Sequence, residues 1–176
     1  MVAGVKETKL GNLARELPTA EEVARYPVLL AKESDRGAAL MAGAFVENTL
    51  WVCVCSRIVD PGEVIRKQWF EGPTAPFATF AAKITLGRAL AIYGPHMEKR
   101  LTLIKNVRNQ FAHSSRPLDF SHPAVIKACK DLVPDGEKYE RLHGRQIYVA
   151  AALALAQVLA HDAAKHGGQE MATSFP

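Results

Sequence analysis

"GAALMAGAFVENTLWVCVC", Gly37 to Cys55, is apolar almost all round, and it can be read either as a membrane span or as the central helix of a folded core. Glu47 and Asn48 decide between the two. Both would be expensive to bury in lipid, whereas a protein interior can offer them partners. The stretch is therefore read as a core helix, running from about Ser34 to Arg57 and ended by Asp60-Pro61-Gly62.

Working outward, "TAEEVARYPVLLAKE" has Thr19 as an N-cap and acids in its first turn, with Pro27 expected to kink or interrupt the helix. On the other side come a short helix, "EVIRKQWF", and a turn-rich loop, "EGPTAP". A third pattern, Phe77 to Tyr93, places Phe80, Ile84 and Ala91 on one side. Gly94-Pro95 separates it from a helix over about His96 to Ser114. Ser121 is read as the cap of "HPAVIKACKDL", Pro134-Asp135-Gly136 as a turn, and Tyr139 to His166 as the last long helix. No strand and no internal repeat is expected. The fold class is all-α, a helical bundle of about five to seven helices around the long apolar one. A polar segment (1–18) precedes the helical domain (19–166), and a tail (167–176) follows it.

Composition narrows the class. The chain has 176 residues, 48% of them hydrophobic and 23% charged, which fits one soluble domain with a substantial core. The formal net charge of +4 comes from scattered Lys and Arg, without a basic block that would mark a nucleic-acid face. Three cysteines without a spaced framework suit a reducing compartment, and the amino terminus lacks a signal-peptide core, so the cytoplasm is expected. Cys53 and Cys55 point in different directions from one helix and read as core thiols. His161 and His166 lack the i, i+4 spacing of a helical metal pair and read as solvated, so no metal and no cofactor is expected.

The helix ending in "VRNQFAH", residues 107 to 113, carries the main candidates. Ile104, Val107 and Phe111 form its apolar stripe, and Arg108 lies on the border of that stripe. Arg108 and His113 are five residues apart, about 140° around an ideal helix, so they do not face each other. Asn109 and His113 are i and i+4, where the amide could orient the imidazole. A guanidinium at the edge of a core needs an acceptor. Glu47, the only acid in the apolar middle of the central helix, is the natural partner. Read this way, Arg108 ties two helices together and His113 complements the helix dipole. Glu33, Asp35 and Arg36 at the start of the central helix are either cleft residues or caps, and Lys83 is either a phosphate contact or solvated.

Three blocks, "KESDRGAALMAGAFVENTL" (32–50), "FEGPTAPFATFAAKITLGRALAIYG" (70–94) and "LIKNVRNQFAHSSRPLDFSHPAV" (103–125), occur in the order that resembles the mannitol operon repressor family. The last block also resembles the wider HEPN class of helical proteins, whose signature is Arg, a polar residue, a few more positions and then His; here these are Arg108, Asn109 and His113. The first resemblance implies a regulator of transcription. No helix-turn-helix with a basic recognition helix is visible, so direct DNA reading is not expected and a protein partner is. The second implies, as the alternative, a metal-independent endoribonuclease acting on RNA as a homodimer. His113 would then be the general acid or base, Arg108 the stabiliser of phosphate charge and Asn109 the orienting residue.

Overall fold

The computed structural model describes residues 19–133 and 142–166, and among these the chain is all helical. Seven helices follow one another: α1 (Ala20–Lys32), α2 (Asp35–Cys55), α3 (Glu63–Phe70), α4 (Phe80–Ala89), α5 (Pro95–His113), α6 (Pro123–Lys130) and α7 (Gly144–His166). The terminal segments, the Pro134-Asp135-Gly136 turn and the expected helix start at Tyr139 lie outside the described residues.

Helix α2 is the axis. Ser34 caps it by accepting the Gly37 N–H at 3.0 Å, and α7, α5 and α4 all pack against it. Ala38, Ala39, Ala42, Val46, Leu50, Cys53 and Val54 along it are fully buried. Both α2 and α7 are long and apolar enough to cross a membrane by length and composition. They pack chiefly against each other, and the acid in the middle of α2 is neutralised by two cations from neighbouring helices.

Pro27 does not break α1. The proline removes one backbone donor on the exposed side, while Leu30 is buried and Tyr26 stacks on Phe45 of α2 at 4.8 Å between ring centroids. Packing on both sides of the missing bond keeps the helix continuous. The Thr19 and Glu22 pair forms a full capping box at its start.

The junction of α1, α2 and α7 is held by Arg145. Its guanidinium donates to the Leu30 and Glu33 carbonyls at 2.5 and 2.6 Å, closing the C-terminal end of α1, and to Asp35 at 3.0 Å. The other Asp35 oxygen accepts the Phe120 N–H at 2.9 Å. Asp35 thereby fixes the turn after α5 as well as the start of α2.

Two boundaries differ from the sequence reading. The cap of α6 is His122, whose Nδ1 accepts the Ala124 N–H at 3.3 Å; Ser121 is instead drawn to Asp119, which accepts its N–H at 2.8 Å and its hydroxyl. Helix α4 starts at Phe80, capped by Thr79, and stops at Ala89 rather than running to Tyr93. It ends in a Schellman turn: Ile92 donates to Gly87, Ala91 donates to Arg88, and Ala91 sits at φ +54°. A residue with a Cβ is strained there, while glycine is not. Ala91→Gly is therefore expected to raise stability by roughly 0.5–1 kcal/mol, the reverse of the usual effect of a glycine, because relief of strain exceeds the added entropy of the unfolded chain. A chemical-denaturation midpoint that falls instead would contradict the strained-turn assignment.

Candidate functional site

The stripe predicted for α5 is present, with Ile104, Val107 and Phe111 buried. Phe111 lies 4.8 Å from Phe120, which lies 5.5 Å from Tyr148 of α7, measured between ring centroids. The Tyr148 hydroxyl donates within reach of the Ala39 and Ile104 carbonyls, at 3.2 and 3.3 Å, so the "FAH" end of α5 is anchored to both long helices. Arg36 adds a tie at the same end, donating to the Ser114 carbonyl at 2.9 Å.

On the adjoining face Arg108 reaches α2. Its Nη2 lies 2.8 Å from Glu47 Oε2, the pairing expected from the solitary acid of the central helix. Its Nη1 donates to Asn109 Oδ1 at 2.8 Å. The second Glu47 oxygen accepts from Lys83 Nζ at 2.7 Å, and Lys83 also donates to the Ala78 carbonyl at 3.1 Å. Lys83 is only 8% exposed, so the solvated reading of this residue is overturned: α4 approaches α2 closely enough to enclose it. Gly43 permits the close crossing of α2 and α5. A Cβ there would lie 2.7 Å from Arg108 Cγ and 2.8 Å from its Cβ.

An open cleft of about 350 Å³ lies over this network. Its lining includes Glu47, Thr79, Lys105, Arg108, Asn109 and His113. The three motif residues thus share one cavity, although Arg108 and His113 diverge around their helix. Lys83 joins them indirectly, through Glu47. Glu33 and Asp35 do not line the cleft; they belong to the α1–α2–α7 junction, and Arg36 secures the helix end behind His113. Asn109 makes no hydrogen bond to His113; its carbonyl oxygen accepts from Arg108 instead. The His113 ring is exposed and hydrogen-bonds no other described residue.

Two residues of this cleft, Lys105 and Thr79, were not singled out by the sequence reading. Lys105 was detectable in principle, because Lys105, Asn109 and His113 repeat at i, i+4 and i+8 and so form one polar stripe. Compared with family models, curated proteins and solved structures, the chain matches none of them.

A second cluster sits where α2 ends. Asp162 of α7 accepts two hydrogen bonds from Arg57, both at 2.7 Å, and one from the Cys53 thiol at 3.4 Å, while the His166 ring lies 3.6 Å away. His166 is thus a paired residue rather than a freely solvated one. Burial would raise the Asp162 pKa, but the hydrogen bonds from Arg57 and Cys53 outweigh it and hold the carboxyl below its ordinary range. Burial, then the hydrogen bond to Asp162, pushes the Cys53 thiol up to about 12. Burial likewise pushes Cys55 to about 11 and Cys129 to about 12. Native Cys53 and Cys129 at pH 8 are expected to react with an alkylating reagent roughly a thousandfold more slowly than the same thiols in denaturant, because the thiolate is the reactive form. Rapid native labelling at Cys53, read by mass spectrometry, would contradict this cluster. Among the described residues no group of His, Cys, Asp and Glu is arranged to hold a metal ion.

Proposed function

We propose that the chain is a cytoplasmic regulatory protein related to the mannitol operon repressor family, acting on transcription as a homodimer through contact with a protein partner. The observation that carries this over the catalytic reading is the closure of Arg108 onto Glu47 and Asn109. A guanidinium so engaged holds helices together, and with Nη1 and Nη2 each already bonded within the fold it is not placed to follow the charge that develops on a scissile phosphate. The three sequence blocks of the resemblance also meet physically: the first supplies Gly43 and Glu47, the second Thr79 and Lys83, and the third Arg108 to His113.

Contact with a protein is supported by an apolar patch before and at the start of α3. Val59, Val64 and Ile65 are 72%, 71% and 42% exposed, within seven residues of one another. Arg66 binds Asp60 across this turn, tying the segment that carries Val59 to the helix that carries Val64 and Ile65. Clustered exposed aliphatic residues of this kind mark interaction sites more often than isolated ones do.

The endoribonuclease reading retains one favourable observation, the exposed His113 ring in the same cleft as Arg108. The two readings are separated by restoring the gene to cells that lack it and comparing transcript levels. Regulation through a protein partner requires that Val64→Asp/Ile65→Asp fail to restore the wild-type profile while His113→Ala restores it. The opposite pattern would reject this reading in favour of catalysis.

A further inference from the structure

We propose that the cleft between α4 and α5 is a binding site for the phosphate group of a small phosphomonoester. Lys105 and Arg108 line it, and Lys83 lies behind its wall, bonded to the lining residues Glu47 and Ala78; against these three cations stands one carboxylate, Glu47, whose two oxygens are already taken by Lys83 and Arg108. The cleft therefore keeps an excess of two positive charges, which matches a phosphomonoester near its second ionisation. Lys105, half-buried, forms no ion pair with any described residue. Its ammonium is the charge available to a ligand.

The donors converge for a structural reason. Lys105, Asn109 and His113 lie on successive turns of one face of α5. Arg108 fixes the Asn109 side chain by donating to its carbonyl oxygen, so the amide NH₂ is left as the group that can donate to a ligand. The opposite wall is the first turn of α4, Thr79 to Ala81, which contains no acid, and its partial positive charge adds to that of the side chains. The volume, about 350 Å³, is at the lower end for small-molecule sites and favours a compact ligand over a length of RNA. The cleft would take phosphate whether or not the Val64 and Ile65 patch binds a protein.

The test uses the full chain and two probes, inorganic phosphate and glycerol phosphate, titrated by calorimetry against chloride at matched ionic strength. Saturable binding of both is expected, tighter for glycerol phosphate because the rest of the molecule also occupies the cleft. Lys105→Ala should weaken it about tenfold, the loss of one charge-assisted contact. Asn109→Asp should abolish it by replacing a donor with a like charge, and Lys130→Ala on α6, outside the cleft, should leave it unchanged. Circular dichroism of each variant checks that the helices are intact. No heat beyond the chloride control, or equal binding by the wild type and by folded Lys105→Ala and Asn109→Asp, would overturn the site. Preference for a short single-stranded RNA over both probes would overturn the ligand class.

Discussion

Glu47→Ala is expected to lower stability by about 3–5 kcal/mol, because it leaves Lys83 as a buried cation without its carboxylate. For a chain of this size that corresponds to a melting temperature lower by roughly 10 °C or more. The effect should be unequal between the partners. The Lys83 side chain is only 10% exposed and is largely withdrawn from water, whereas that of Arg108 is 28% exposed and borders the cleft, so it is the more readily solvated when Glu47 is lost. Lys83→Met alone leaves Glu47 paired with Arg108 and should cost less than half as much as Glu47→Ala. The double variant Glu47→Leu/Lys83→Met removes the buried charge together with its partner and should recover most of the loss, as replacement of buried ion pairs by apolar groups often does. Thermal unfolding of the three variants checks the ordering. Additive losses in the double variant would show that the two side chains do not act as a pair.

Gly43→Val is the second large effect. A glycine inside a helix is ordinarily a weak point, and alanine there should add roughly 0.5–1 kcal/mol from propensity alone. In this chain the sign should reverse. The added Cβ would meet Arg108 Cγ at 2.7 Å, Arg108 Cβ at 2.8 Å and the Tyr148 hydroxyl at 3.2 Å, and the Arg108 Cβ is fixed to the backbone and cannot swing away. Gly43→Ala should therefore destabilise. Gly43→Val, with two further methyl groups, should cost more than about 3 kcal/mol by forcing α2 and α5 apart. Denaturation midpoints of the pair provide the check, and a stabilised Gly43→Ala would mean that the helices cross less closely than described. Moving α5 outward would also pull Arg108 from Glu47, so this variant should lose part of the stability that the first experiment measures.

How far these features could be read from the sequence depends on whether a residue itself signals the partner it needs. The pairing of Glu47 with Arg108 was legible because a lone acid in an otherwise apolar helix must find a cation, and Arg108 stands at the edge of an apolar stripe. The all-helical architecture followed from the same periodicity. The burial of Lys83 was not legible, since nothing in "FAAKITLGRA" tells how closely α4 will approach α2, and a lysine in a helix of this kind is normally solvated. Asp35 could be read only as a cap or a cleft residue, because its partner, Arg145, is 110 residues distant in the chain. The continuity of α1 through Pro27 likewise depends on Tyr26 and Leu30 packing against other parts of the fold. The end of α4 at Ala89 was hidden because Ala91 gives no local signal for a left-handed turn that glycine usually supplies.

On the proposed function, Arg108 belongs to the architecture of the fold and "VRNQFAH" does not cleave RNA. Cleavage of a mixed RNA pool by the purified full chain in EDTA, beside folded Arg108→Ala and His113→Ala variants, tests it most directly. No cleavage by the wild type above the background shared by both variants is expected. Cleavage by the wild type that is lost in both variants would contradict it and make the cleft a ribonuclease site.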